Sequence, residues 1–394
     1  MPFIGNQPTA VPLTSADLED NIISTAKIQD DAVTTAKTSY SDAPFRNIII
    51  NGDMSIAQRG TSTASVTSTG YNACDRWKNV LNTLGTFTVS QDTSVPTGQG
   101  FAKSFKMACT TADASPAAGD FNALIQTIEG QNVQYLKKGT ASAESLTVSF
   151  WVKSNKTGTY TCEFRDSDNI RSISQTYTIS SVDTWEKKTI TIDGDTTGAF
   201  DNDNGNSLQM WFWLGAGTDY TGGTLNTSWS ASTTNQRVSS SNVNIADSTS
   251  NTWYITGVQL EAGTTASDFE FLPVDVNLAR CQRYYYNHVN GNTQIIGIAS
   301  YFATTQIEIP VSFPVKMRTT PSVESVTGTN YYFVSKASPL GNDDFNSIVG
   351  IYGGNQNGIM IYNNDAGQIS GTQGQAYVAY TSNASSFISF NAEL

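Results

Sequence analysis

The chain has 394 residues, with 22 Lys and Arg against 34 Asp and Glu and a formal net charge of −12 at pH 7. Its basic residues form no stripe, which argues against a nucleic-acid partner. No apolar run reaches the roughly 18 residues of a spanning helix, which argues against membrane insertion through one. Charged residues make up 14% of the chain, and Ser, Thr, Asn and Gly fill the gap beside 11% aromatics. That mixture suits short strands joined by polar turns.

Residues 1–15 hold Pro2, Pro8 and Pro12 and read as an extended, adaptor-like segment. From 16 to 44 the chain repeats itself, Ser24-Thr25-Ala26-Lys27 returning as Thr34-Thr35-Ala36-Lys37. A unit this thin cannot bury its apolar pair alone. Ile22, Ile23, Ile28 and Val33 are therefore expected to face other copies of the chain. The stem is either helical over about 16–28, where Ser15 offers an N-cap, or extended and intertwined. Pro44 closes it.

The pattern changes at Phe45. Ile48-Ile49-Ile50 ends at the turn signal Asn51-Gly52-Asp53, and strand-like runs recur up to Trp253–Leu260. Leu146 to Val152 alternates apolar and polar residues, as an antiparallel strand with one wet face does. Six to eight such strands predict a two-sheet sandwich of jelly-roll type over 45–273. Met210 to Leu214 is apolar on both faces and reads as a strand buried on both sides, with Trp211 and Trp213 as core. The long polar loop from Gly215 to Asn251 carries Tyr220 and Trp229, the two candidate rings for stacking on a sugar. Pro273 marks a break, Val274 to Arg280 reads as a short helical piece, and a second β region runs through 274–394.

Chemistry for catalysis is sparse. His288 is the one histidine and reads as a packing residue. The pairs Asp166/Asp168, Asp193/Asp195, Asp201/Asp203 and Asp343/Asp344 lie among Gly, Asn and Ser and read as turn residues, not as an acid and base. Asp201-Asn202-Asp203-Asn204-Gly205 resembles part of a calcium loop but lacks the closing Glu. Cys74, Cys109, Cys162 and Cys281 are far apart with no CxxC pair and read as free thiols. No metal site, no cofactor and no catalytic residue is expected.

Several stretches together resemble phage tail fibres. Asn47-Ile48-Ile49-Ile50-Asn51-Gly52-Asp53-Met54-Ser55-Ile56-Ala57-Gln58-Arg59-Gly60, followed by Tyr71 and Asp75-Arg76-Trp77, is similar to the opening of a jelly-roll module of such fibres. Tyr254 to Gly263 with Phe269-Glu270 is similar to its closing strand, and Cys281 to Tyr286 to the motif that follows. Phe313 to Arg318 with Thr320-Pro321 is similar to the start of the terminal fibre domain, and the repeats to stems of marine, cyanophage-like fibres.

The resemblance implies a mainly all-β homotrimer. Residues 1–15 would attach to other phage tail or adaptor proteins, 16–44 would form the trimeric stem, 45–273 a carbohydrate-binding-like jelly roll, and 274–394 a receptor-binding tip. It implies a structural component of the virion, assembled in the host cytoplasm and acting outside, that adheres to host cell-surface glycan or lipopolysaccharide without catalysis. A capsular depolymerase would instead show a long parallel β-helix or two convergent acids. A secreted carbohydrate-binding adhesin would show a signal peptide, and Met1-Pro2-Phe3-Ile4-Gly5 has no basic n-region. The shared motifs read as structural, Asp75-Arg76-Trp77 as an ion pair plus a core Trp.

Overall fold

The computed structural model describes residues 45–336 and 341–394. The stem residues Ile22, Ile23, Ile28 and Val33 lie outside the described residues. Phe45–Leu394 forms one compact unit.

Its first half is a sandwich of two six-stranded antiparallel sheets. One sheet runs β1 (Ser62–Val66), β3 (Thr86–Asp92), β4 (Ser104–Thr111), β12 (Thr252–Ala262), β6 (Leu146–Ser154) and β9 (Glu186–Ile192). The other runs β11 (Ser230–Ala231), β8 (Arg171–Ile179), β7 (Gly158–Asp166), β10 (Asn206–Ala216), β5 (Phe121–Glu129) and β2 (Lys78–Asn82). The quartet β4-β12-β6-β9 facing β5-β10-β7-β8 has the strand order of a jelly roll.

Period-two alternation makes these strands two-faced. Val148, Phe150 and Val152 of β6 point inward to meet Leu124, Met210 and Phe212 from the facing sheet, with Phe150 and Phe212 edge to face at 5.0 Å. The outer face of β6 is wet only at its far end, where Trp151 and Lys153 are half-buried, and this departs in part from the expectation from its alternation. Thr147 and Ser149 are buried too, because the chain after β12 folds back over them, and Thr147 Oγ1 donates to the Gly263 carbonyl at 2.8 Å. Trp211 and Trp213 are buried on the outer side of β10, as expected of a strand covered on both faces.

Ile48-Ile49-Ile50 forms no strand. It bends across the end of the sandwich, Ile48 N–H donating to the Leu260 carbonyl at 2.8 Å, while the Gln126 amide brackets both backbone groups of Ile50. Asn51 takes a left-handed φ of 58° and works as a hub: its side chain holds Ile56 and the Asp75 carbonyl, and its own carbonyl accepts the Trp77 indole N–H at 2.9 Å. The opening motif thus lies against the closing strand.

After the sandwich, α2 (Val274–Gln282), numbered after the short turn α1 (Thr218–Thr221), leads into a second β assembly. A three-stranded sheet, β13 (Tyr285–Asn290), β22 (Phe387–Asn391) and β16 (Ser322–Ser325), packs on a seven-stranded one. The latter runs β18 (Asn342–Phe345), β17 (Tyr332–Ser335), β21 (Ala376–Thr381), β14 (Ile295–Ala303), β15 (Gln306–Ser312), β20 (Gly358–Asn363) and β19 (Gly350–Asn355).

The two halves are joined by buried charge. Arg76 is 1% exposed, stacks 3.5 Å from the Tyr284 ring centroid, donates to the Thr127 carbonyl at 2.7 Å and pairs with Glu393. Trp77 is the expected core residue, while the ion pair runs from Arg76 to Glu393 near the C-terminus and Asp75 accepts Gln58 instead. Glu129 receives Arg283 on both oxygens at 2.7 Å and the Tyr284 hydroxyl at 2.5 Å. Burial alone would raise the Glu129 carboxyl, but these hydrogen bonds outweigh it and hold it below the usual carboxylate range.

Candidate functional site

The sequence-derived rings Tyr220 and Trp229 both appear as packing groups, at opposite ends of β10. Tyr220, on α1, lies edge-on to Phe121 at 4.9 Å and against Trp213 at 5.4 Å. Above that aromatic layer sits Arg237, its guanidinium 4.7 Å from the Trp211 ring and 4.9 Å from the Trp213 ring. Arg237 is locked in place by both oxygens of Glu163 at 2.8 and 2.9 Å, and Glu163 also accepts the Trp213 indole N–H at 2.9 Å. The loop after β10 therefore covers this sheet face instead of leaving a platform open. Trp229 donates its indole N–H to the Asp193 carbonyl at 2.8 Å and leans on the edge of the main core.

In each acidic pair one carboxylate is engaged locally, and Asp343 and Asp344 lie on strand β18, not in the turn expected of them. Asp166 takes the backbone N–H groups of Asp168 and Asn169, which closes the β7–β8 turn. Its other oxygen meets Lys138 at 2.5 Å, and Lys138 also pairs with Asp195, which Arg171 grips at 2.7 Å. Asp203 accepts the Gly205 N–H at 2.8 Å, the Asx turn expected of that sequence. Asp343 is held by the Tyr301 hydroxyl and Lys336, both at 2.6 Å. His288 Nε2 faces the Ile296 carbonyl at 2.7 Å and Nδ1 the Tyr286 hydroxyl, and burial lowers its pKa.

A different feature stands out. A cleft of about 690 Å³ opens where the sandwich meets the second half. One wall comes from the sandwich, through the Ile48–Ile50 bend, β5, the 3₁₀ turns at 130–136 and the Asp203-Asn204 turn. The other comes from the end of α2 and from Lys316, Arg318 and Gln356. Four cations line it (Arg280, Arg283, Lys316 and Arg318), in a chain whose net charge is −12.

They are not equivalent. Arg283 is neutralised by Glu129, and Arg318 spends its donors on the Ala392, Asn204 and Glu393 carbonyls. Arg280 donates one bond, to the Asn47 carbonyl at 3.3 Å, and burial lowers its pKa. Lys316 is exposed and has no ion-pair partner among the described residues. Tyr135, 47% exposed, offers a ring at the rim beside Asn132. The arrangement can hold a polar, ring-shaped ligand by stacking and hydrogen bonds, with Arg280 and Lys316 biased toward negative charge.

None of these residues was read as a binding residue from the sequence, because they come from six separated segments. The available signal was the close basic pairs Arg280/Arg283 and Lys316/Arg318 in an acidic chain.

No protein-family model matches the chain, and no curated protein matches it. Among solved structures, one similar to it is the enzymatically active domain of bacteriophage CBA120 tailspike protein 4, at 16% identity and TM-score 0.30, covering 56% of this chain and 22% of that one. The match therefore spans less than a quarter of the tailspike chain's own length. Another is the family 11 carbohydrate-binding module from Clostridium thermocellum in complex with a mixed-linked tetrasaccharide, at 9% identity and TM-score 0.26, covering 52% of this chain and 98% of that one. A third is the xylanase 10B modules of Clostridium thermocellum complexed with xylohexaose, at 12% identity and TM-score 0.27, covering 57% and 31%. At these values the likeness assigns neither family nor ligand.

Proposed function

We propose that the protein is a non-catalytic adhesin that holds a cell-surface glycan in the cleft between its two halves, acting as a homotrimeric tail fibre on a phage virion. The observation that carries the glycan reading is the cleft itself: about 690 Å³, walled by tyrosine, amide and guanidinium groups, and cationic within an acidic molecule. That is a size and lining suited to a short oligosaccharide. The fibre reading rests on the order of the motifs along the chain and on the repeats before Phe45. Single sites of this shallow, polar kind bind weakly, and several copies on one fibre raise the effective affinity. The acids near the cleft are engaged, Glu129 by Arg283 and Tyr284 and Asp203 by its own turn, which leaves no acid and base facing each other across it among the described residues.

The test is an oligosaccharide array carrying neutral, uronate-bearing and phosphorylated glycans, probed with the labelled full-length protein. Binding concentrated on the anionic members, weakened by raised salt, supports the cleft reading. No binding to any member, or equal binding to neutral ones at all salt concentrations, refutes it. Incubation of the bound glycan with the protein should release no reducing ends, and sustained release would favour the depolymerase.

A further inference from the structure

The outer face of the seven-stranded sheet carries exposed apolar groups, and nothing among the described residues lies over them. Two aromatic clusters lie on it, toward opposite ends of β14. Phe333 of β17 lies beside Tyr380 of β21, their rings stacked at 5.1 Å, and Tyr380 lies opposite Ile295 of β14. Farther across, Phe302 approaches Tyr352 at 6.2 Å, and Tyr352 approaches Tyr362 at 6.3 Å. Ile295, Ile298, Phe302 and Tyr352 are 62, 53, 53 and 63% exposed. The opposite face of the same strands is the buried one, through Ile296, Tyr301, Ile309 and Ile361. So this sheet, unlike the sandwich sheet carrying Trp211 and Trp213, has nothing laid over its outer side among the described residues.

We infer that this face is covered by another copy of the same chain. Size is the first argument. At about 4.8 Å per strand and about 3.3 Å per residue, a seven-stranded sheet presents a face of about 600–700 Å². Two such faces together exceed the roughly 1,000 Å² that a specific interface needs. Charge is the second. The seven strands carry no Lys or Arg, and their outward carboxylates are Glu308, almost buried, and Asp344 on the edge strand. A face with no cations attracts neither nucleic acid nor an acidic glycan. A nearly neutral face is also the part of a −12 chain on which two copies meet with least repulsion. Shape is the third. The face carries five aromatic rings, Phe333, Tyr380, Phe302, Tyr352 and Tyr362, together with exposed Ile295 and Ile298. Contiguous exposed apolar surface of this extent marks an interaction site. The inference does not rest on the glycan reading.

Hydroxyl-radical footprinting of the full-length protein tests it, together with its mass by light scattering. Phe302, Tyr352, Tyr362 and Met360 should be modified several-fold more slowly than Phe271, which is 50% exposed on the sandwich. The mass should be a multiple of 42.4 kDa. In the double variant Phe302→Glu with Tyr352→Glu the mass should fall; where other segments still hold the copies together, Tyr362 and Met360 should instead become several-fold more reactive. Modification of the wild-type face as fast as Phe271 would overturn the inference. So would protection in a monomer, which would mean that the chain's own residues 1–44 cover the face. A double variant that keeps both its mass and its protection would overturn it as well.

Discussion

At the residue scale, the informative groups are buried charges. Asp75 is 1% exposed and accepts Gln58 N–H bonds at 2.9 and 2.6 Å, yet burial pushes its carboxyl up to about 6 from an ordinary 3.8. The folded state therefore holds the proton more tightly than the unfolded chain. The stability that this gives is fully present below pH about 4 and is lost as pH rises through about 6. A shift of about two pH units corresponds to roughly 3 kcal/mol at most. The expected outcome is that denaturant melts of wild type and Asp75→Asn diverge between pH 4 and 6.5, wild type losing stability relative to the variant as pH rises; parallel curves would mean no shift. Arg76 makes a second case. Arg76→Met removes the cation from a buried pair and leaves Glu393 with Arg59 alone, which should cost on the order of 3 kcal/mol in the same melts. A loss under about 1 kcal/mol would show that the pair contributes little to joining the halves.

At the element scale, closure of the sandwich depends on a bulge in β12. The register against β6 shifts between Thr256 and Gln259, and Gly257 there has φ +60°. A Cβ at that position would lie 2.5 Å from the Phe101 ring. Gly257→Ala should therefore lower the unfolding free energy in denaturant melts by about 2 kcal/mol or more, whereas Gly98→Ala, with a similar positive φ but open space around it, should cost less.

Much of this element level was legible in the sequence. Period-two runs such as Leu146 to Val152 and the doubly apolar Met210 to Leu214 identify strands because side-chain direction alternates regardless of context. What was not legible depends on distant partners. The wet outer face read for β6 is covered at Thr147 and Ser149 because residues after β12 fold over them, and the Ile48–Ile50 run bends because Gln126, 76 residues away from Ile50, takes its backbone groups. Trp229 and Tyr220 were candidate stacking rings in a polar loop, and both are half-buried because that loop lies across β8 and β10. The cleft was illegible for the same reason, since Tyr135, Arg280 and Lys316 meet only when the two halves close.

At the scale of the whole molecule, two surfaces carry the account: a cationic cleft for a ligand and an apolar sheet face for another copy. The most direct measurement for the central claim is a calorimetric titration of the tightest-binding array oligosaccharide into three full-length proteins. These are wild type, the double variant Tyr135→Ala with Lys316→Ala, and Trp229→Ala. The melting curve of the double variant is recorded first, and the titration is read for the folded protein. If the cleft holds the glycan, the double variant binds at least about tenfold more weakly, a loss of about 1.4 kcal/mol, while folded Trp229→Ala binds as wild type does. Unchanged affinity in the double variant, with binding lost in Trp229→Ala, would place the ligand on the loop after β10 and contradict the cleft.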